Sequence, residues 1–256
     1  MPHAPGGFGG VRISRTDGAL ALELDVPVPG AAPLQGAVSI EGTDVVLGPA
    51  GPALHRWAPQ LVGRAKAELR CGDAWSLAFE GRGYHDRNAS SLGLTELGIR
   101  RWIWGRTPHE DGETVHYLVE PVGSHSEQNH VLEIDWSGAV EHRFVEVERS
   151  AEVRGRWGVP SPRQIRAGDL QIAHDTAVED GPFYQRWLTS VSRGGATHRG
   201  VGEVVDVDRI DRGWAAPLVR MAPDGPNASI WSPLFVGPSA GGAGRLFRSW
   251  RARWSR

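Results

Sequence analysis

The 256-residue sequence has few of the residues on which several common kinds of site depend. Its single cysteine, Cys71, can form neither an intrachain disulfide nor a cysteine-based zinc site. Basic residues are almost all arginine, with Lys66 as the one lysine, and the formal net charge is −2. The sequence therefore excludes a disulfide-stapled fold and gives no reason to expect a nucleic-acid partner.

Signals for export, membrane insertion and cofactor binding are also missing. The start, "MPHAPGGFGG", lacks the charged and apolar segments of a secretory signal, and no run of 18 apolar residues occurs. The chain contains no glycine-rich phosphate loop, G-x-S-x-G elbow or dinucleotide fingerprint. These absences predict a cytoplasmic protein that is soluble or peripheral.

Glycine, proline and tryptophan are abundant, with 34, 18 and 11 copies, and apolar residues alternate with polar ones in many short runs. In residues 19–26, for example, Leu20, Leu22, Leu24 and Val26 share one face, and "TDG" at 16–18 forms a turn from the preceding run. Frequent alternation of this kind predicts an all-β fold with a barrel or sandwich architecture.

The strand rhythm is interrupted at residues 151–167, where prolines and charges cluster. This predicts a first β lobe over 1–152 and a second over 153–240. The last part, 241–256, is a basic and aromatic tail in which five arginines accompany Leu246, Phe247, Trp250 and Trp254. Such a tail is either an interfacial helix on the inner membrane surface or a disordered basic segment.

Residues 81–90, "GRGYHDRNAS", place several polar groups where a predicted strand ends. In an apolar β cavity, Asp86 beside Tyr84 and His85 could stay protonated near neutral pH and donate a proton. Alternatively, Asp86 and Asn88 cap a turn, where these residue types are common. The residues alone leave both interpretations open.

Two aromatic segments are further candidates. His55 and Trp57 in "LHRWAP" could relay a proton and face a cation, or they could be a surface histidine beside a core tryptophan. Trp102 and Trp104 in "WIWGR" share one face of a strand. They either pack in the core or line an elongated apolar pocket.

Two polar segments have more ordinary explanations. In "EDGPFYQRW" at 179–187, Tyr184 follows a charged turn and Arg186 is expected to pair with a carboxylate. His125 and His130, with Glu127 between them, are spaced like metal ligands, but the spacing indicates no third ligand. Solvated loop histidines explain this second pattern better.

Five motifs in one order, over roughly residues 11–221, resemble the carotenoid 1,2-hydratase family. "GRGYHDRN" is similar to the family's GxGYxDxN motif and "WIWGR" to its WxWxR strand, while "HRWAP", "WGVP" and "VEDGPFYQRW" resemble further family segments. Family members usually begin with several tens of residues that would precede this chain's start, and Gly202 stands where the family has histidine. The resemblance implies a two-lobed, lipocalin-like fold.

The resemblance also implies a reaction, the addition of water to a terminal isoprenoid double bond of an acyclic carotenoid without a cofactor. Asp86 would be the general acid, with Tyr84 hydrogen-bonded to it or to the attacking water. Trp57 would be the cation-stabilising ring, and His55 would orient the water or accept its proton. The implied substrate-binding residues are His85, Asn88, Trp102, Trp104 and Tyr184. A polyene cyclase and a non-catalytic carrier of apolar ligands remain alternatives.

Overall fold

The computed structural model describes residues 6–8, 10–28, 31–45, 55–90, 92–93, 96–123 and 128–210. Antiparallel β-strands account for most of these residues, and a short 3₁₀ helix, Val207–Arg209, follows the last strand. The prediction of an all-β chain is confirmed.

Six strands form the first sheet, in the spatial order of the sequence. They are β1 (Gly6–Phe8), β2 (Val11–Thr16), β3 (Ala19–Val26), β4 (Leu34–Asp44), β5 (His55–Cys71) and β6 (Trp75–Ser90). Strands β2 and β3 form the hairpin that the alternation predicts, with Val11 opposite Leu24 and Thr16 opposite Ala19. Gly18 in the turn has a φ of +70°, which glycine adopts without strain.

Nine strands form the second sheet, in the order β10-β9-β8-β7-β17-β16-β15-β14-β11. The first five in sequence are β7 (Ile99–Pro108), β8 (Gly112–Pro121), β9 (Gln128–Asp135), β10 (Val140–Phe144) and β11 (Val147–Arg149). The others are β14 (Gln164–Ala167), β15 (Leu170–Asp180), β16 (Tyr184–Arg193) and β17 (Ala196–Asp206). Between them, β12 (Glu152–Arg154) pairs with β13 (Pro160–Pro162) in a separate ribbon.

The chain divides into two compact units. The first comprises residues 1–42, 63–83 and 217–256, and the second comprises 43–62 and 84–216. The predicted lobe boundary at residue 152 does not coincide with a boundary between these units, and the division into 1–152 and 153–240 stays a prediction.

Within the second unit, side chains alternate between the two faces of the nine-stranded sheet, and each face has its own buried cluster. The aromatic face, as we call it, carries Trp102, Trp104, Tyr117 and Tyr184 and packs with Trp57 and Tyr84. The aliphatic face carries Ile103, Leu118, Val131, Ile165, Ile172, Val191 and Val204. Burial of each large apolar side chain contributes about 1.5–3 kcal/mol, so both clusters stabilise this unit.

Candidate active site

The segment "GRGYHDRNAS" lies inside strand β6, which continues to Ser90. The prediction that it marks a strand exit is therefore wrong. Because side chains alternate along a strand, Tyr84 and Asp86 project to one side and His85 projects to the other. The strand conformation also removes the alternative in which Asp86 caps a turn.

Two side chains hydrogen-bond to the same oxygen of Asp86. The indole Nε1–H of Trp57 donates to Asp86 Oδ2 at 2.7 Å, and the hydroxyl of Tyr84 donates to the same oxygen at 3.4 Å. Trp57 comes from β5, whereas Tyr84 and Asp86 come from β6. The arrangement therefore depends on two strands bringing together residues that are far apart in the sequence. Sequence order alone gives no such contact.

Burial shifts the protonation equilibrium of Asp86. Desolvation is the largest effect and raises the pKa of the carboxyl above its ordinary value. The hydrogen bonds from Trp57 and Tyr84 and the nearby His85 stabilise the carboxylate and lower the pKa, but the net direction is upward. Asp86 is thus held in its neutral form to a higher pH than a solvated aspartate.

Trp57 itself has no exposed surface. Its ring stacks on Tyr117, with centroids 4.8 Å apart and planes 14° from parallel. Burial, followed by the charge of Asp86, raises the pKa of Tyr117 above its ordinary value. Tyr117 therefore stays a neutral phenol next to the acid, and it fixes the ring that donates to Asp86.

Trp102 and Trp104 lie on the same face of β7, as their spacing predicts, and both pack against the buried cluster of the aromatic face. Tyr84 contacts Trp104 at a centroid distance of 5.9 Å and a tilt of 43°. Asp86 therefore accepts hydrogen bonds from aromatic side chains of β5 and β6, and these in turn contact the rings of Tyr117 from β8 and Trp104 from β7. A polar acid with such neighbours suits a reaction that passes through a cation.

Two charged residues of this face have no counterpart among the sequence candidates. Arg106 lies with its guanidinium carbon 5.4 Å from the centre of the Tyr84 ring, and its Nε donates to the fully buried carboxyl of Glu113. Desolvation raises the pKa of Glu113 to about 7, against the opposing effect of Arg106. A carboxylate at a core-facing position of the apolar strand "GETVHYLVEP" is the signal that could have identified it.

The sequence profile of the carotenoid hydratase CrtC family matches residues 8–228, most of the chain. The protein belongs to that family. A hydroxyneurosporene dehydrogenase of Chlorobaculum tepidum is 32% identical to it over 123 residues. That match covers 45% of this chain and 32% of the relative, so the aligned part spans about a third of the relative's length.

Solved structures extend the likeness of this CrtC family member to its fold. A protein of Nitrosomonas europaea assigned as an AttH aligns with a TM-score of 0.56 at 15% identity, covering 77% of this chain and 68% of that one. CghA aligns with a TM-score of 0.52 at 11% identity, covering 77% and 67%. At these identities the likeness concerns architecture, and it confirms the predicted lipocalin-like fold.

The CrtC-type motif "VEDGPFYQRW" contributes a second polar group to the aromatic face. The hydroxyl of Tyr184 donates to Glu203 Oε1 at 2.6 Å, and Arg186 pairs with the same oxygen at 3.0 Å. The expectation that Arg186 pairs with a carboxylate is confirmed. Glu203 is close enough to Asp86 for its charge to raise the pKa of that acid.

The remaining residues predicted from the sequence either do not lie beside Asp86 or lie outside the described residues. His85 projects away from the Asp86 side of β6, and Asn88 is exposed near the end of that strand. The side chain of His55 lies outside the described residues, as do His125, Glu127 and the whole tail from 241 to 256.

The described residues offer neither a metal-binding cluster nor a membrane-spanning helix. No cluster of three or more histidine, cysteine, aspartate or glutamate side chains suited to a metal occurs among them. His130 instead lies with Nδ1 2.9 Å from Nε2 of His142. In the same part of the chain, no helix is long and apolar enough to cross a membrane.

Proposed function

We propose that this CrtC family member adds water to a terminal isoprenoid double bond of an acyclic carotenoid or a related prenyl chain. The observation that carries the proposal is the position of Asp86, a carboxyl with a raised pKa, two donors on one oxygen and aromatic rings around it. Family membership supports a hydratase-like enzyme acting on an apolar isoprenoid.

Protonation of the alkene is the first step. Oδ2 of Asp86 accepts both hydrogen bonds, which leaves Oδ1 to carry the acidic proton. Transfer of that proton to the less substituted alkene carbon gives a tertiary carbocation and the Asp86 carboxylate. General acid catalysis of this kind contributes about 10²–10⁴-fold to rate.

Stabilisation of the cation is the second requirement. Trp57 and Tyr84 contact the acid and Trp104 packs against Tyr84, and a ring face near a cation contributes roughly 0.5–2 kcal/mol, more when water is excluded. Capture by water then gives the tertiary alcohol. His55 remains a candidate for orienting this water, on the resemblance alone, as do His85, Asn88, Trp102 and Tyr184 for binding the chain of the substrate.

Product analysis tests the proposal. The purified protein is incubated with an acyclic carotene in detergent, and the products are separated and weighed by mass spectrometry. Hydration gives a product heavier than the substrate by one water, and loss of this product is expected in a boiled control. A product of unchanged mass would indicate cyclisation or isomerisation and contradict hydration. Binding of the carotene without any product would indicate a non-catalytic carrier.

We also propose that residues 241–256 bring the enzyme to the surface of the membrane in which such substrates dissolve. Five arginines and the aromatic residues of the tail suit an anionic interface, where each surface arginine contributes about 1 kcal/mol. Deletion of residues 243–256 should move the protein from anionic liposomes into the supernatant, and salt should do the same to the full chain. Equal partitioning of the two proteins would end this part of the proposal.

A further inference from the structure

Glu113 is a second carboxyl on the aromatic face, and its side chain has no exposed surface. It lies at the start of β8, on the same side of the strand as Val115 and Tyr117. A buried carboxyl costs considerable free energy unless its oxygens are partnered. Its retention in an apolar strand therefore needs an explanation.

Only one of its two oxygens has a partner among the described residues. The Nε of Arg106 donates to Oε1, whereas Oε2 is buried and accepts no hydrogen bond. Buried polar atoms in folded proteins are almost always paired, and water is the usual partner where no protein group is available. Oε2 is thus an acceptor suited to a bound water.

Contacts connect this carboxyl to the proposed acid. Arg106, which binds Glu113, lies over the ring of Tyr84, and the hydroxyl of Tyr84 donates to Asp86. The charge of Glu113 also raises the pKa of Tyr84, after burial and the charge of Asp86. The charged and titratable groups facing Glu113 are Arg106 from β7 and Tyr84 from β6, while β9 places Ile134 opposite it.

We propose that Glu113 Oε2 holds the water that is added to the substrate and accepts its proton. This inference rests on the proposed hydration. It assigns Asp86 to protonation of the alkene and Glu113 to capture of the cation. The two carboxyls would then do separate halves of one reaction.

The proton balance is complete without a further reactant. Asp86 gives its proton to the alkene, and a C–H bond forms. The water oxygen then forms the C–O bond while one of its O–H bonds breaks, and that proton passes to the Glu113 carboxylate. Exchange with solvent returns a proton to Asp86 and removes one from Glu113, so the net reaction is alkene plus water to alcohol.

The protonation behaviour of Glu113 is compatible with this role. Arg106 stabilises the carboxylate, and burial raises the pKa to about 7. A base of this strength can take up a proton and release it again near neutral pH. The same carboxyl in water would release protons readily but accept them poorly.

The test is the fate of the cation in D₂O, followed by mass spectrometry of product and recovered substrate. In Glu113→Gln, Asp86 still deuterates the alkene, but the cation more often loses a proton before water attacks. We expect the ratio of deuterated recovered alkene to alcohol to rise at least tenfold and the acidic limb of the kcat/KM profile to disappear. Glu113→Asp, which keeps a carboxylate, should bring the ratio part of the way back to the wild-type value.

Glu120→Gln is the matched control, because Glu120 is another buried carboxylate of β8 and pairs with Arg101 at 2.6 Å and Arg149 at 3.1 Å. It should cost stability and leave the ratio unchanged. An unaltered ratio and acidic limb in folded Glu113→Gln, or in folded Glu113→Leu if the glutamine variant does not fold, would overturn the Glu113 assignment while hydration by the wild type still stood. If the wild type formed no alcohol, the proposed function itself would fail first.

Discussion

Both faces of the nine-stranded sheet bury acids and bases, among them His130 on the aromatic face and Glu120 on the aliphatic face, but burial acts on the two kinds of group in opposite directions. The aromatic face holds carboxyls whose pKa values burial raises, Asp86 and Glu113. The aliphatic face holds histidines whose pKa values burial lowers, to about 3 for His116 and about 4 for His174. Burial therefore moves the pKa values of these two carboxyls toward neutral pH, and it keeps the two histidines uncharged there.

Local packing explains why the histidines are tolerated. Gly105 lies opposite Gly202 across β7 and β17, and a Cβ on Gly105 would come within 2.3 Å of the His116 ring. His174 stacks on Trp187 at 5.4 Å and lies 3.2 Å from the hydroxyl of Ser161. The glycines leave space for rings, so these histidines fill the core of the aliphatic face.

The difference separates burial from function. Every one of these four groups is desolvated, yet an acid or base acts best when its pKa lies near the working pH. Glu113 meets that condition and Asp86 moves toward it, whereas His116 and His174 move away from it. We therefore expect substitutions on the two faces to affect different measurements.

Asp86→Asn should have the largest effect on turnover. Asparagine keeps the shape of the side chain and can still accept the hydrogen bond from Trp57, but it has no proton to transfer. We expect hydration to fall by about 10²-fold or more, with little change in melting temperature. A folded variant that kept most of the activity would remove Asp86 as the acid.

Substitutions of Trp57 should have the next largest effects, and Trp57→Phe is the milder of the two considered. It keeps a ring beside Tyr117 but removes the N–H that donates to Asp86 at 2.7 Å. A hydrogen bond to a charged group contributes about 1.5–3 kcal/mol, so turnover per folded molecule should fall about tenfold. Because the lost donor stabilised the carboxylate, the alkaline limb of the pH profile should also move to higher pH.

Trp57→Leu distinguishes the N–H from the ring. It removes both, and a role of the ring in stabilising the cation predicts a further loss of turnover relative to Trp57→Phe. Equal turnover of the two variants, after correction for the folded fraction, would assign the whole effect to the hydrogen bond. Trp102 and Trp104 would then be the next rings to test.

Tyr84→Phe should have a smaller effect, because its hydrogen bond to Asp86 is long at 3.4 Å. A typical hydrogen bond contributes a net ~0.5–1.5 kcal/mol, and we expect turnover to fall about two- to fivefold. The aromatic contacts with Trp104 and Arg106 are retained in phenylalanine. A loss as large as that of Asp86→Asn would show that the hydroxyl takes part in proton transfer.

The sequence predicts much of this fold, because the fold depends on local patterns, whereas Asp86 is proposed as the acid through the family resemblance. Alternation of Leu20, Leu22 and Leu24 predicts the first hairpin, and the two-residue spacing of Trp102 and Trp104 predicts their common face. The length of β6 is less predictable, because Tyr84 to Asn88 are polar enough to resemble a turn. Pairing within the sheet extends the strand through them.

Contacts between distant strands account for what the sequence does not predict. The hydrogen bond from Trp57 to Asp86 and the ion pair of Arg106 with Glu113 depend on the pairing register of the strands. A shift of one residue would turn these side chains to the other face and abolish both contacts. Glu113 shows the same limit, since its neighbours in sequence are ordinary strand residues. A carboxylate on the core-facing side of a strand is noticeable only after that side is known.

The smallest expected effect on turnover, and the sharpest contrast between the faces, concerns stability against pH. His116 has a lower pKa in the folded state, so the unfolded chain binds more protons below about pH 6.5 and stability falls as the pH falls toward about 3. Glu113 has a raised pKa, so its contribution is present below about pH 4.5 and is lost as the pH rises through about 7.

Urea unfolding at several pH values separates these contributions. In the wild type the free energy of unfolding decreases as the pH falls in the acid range. His116→Gln should make this decrease less steep by up to ~1.4 kcal/mol per pH unit, the value for one proton. Glu113→Gln should instead reduce the decrease in the free energy of unfolding as the pH rises from about 4.5 to about 7. Because His116 lies on the aliphatic face, its variant should keep wild-type turnover per folded molecule. A hundredfold loss of turnover in His116→Gln would mean that the two faces do not divide catalysis from packing in this way.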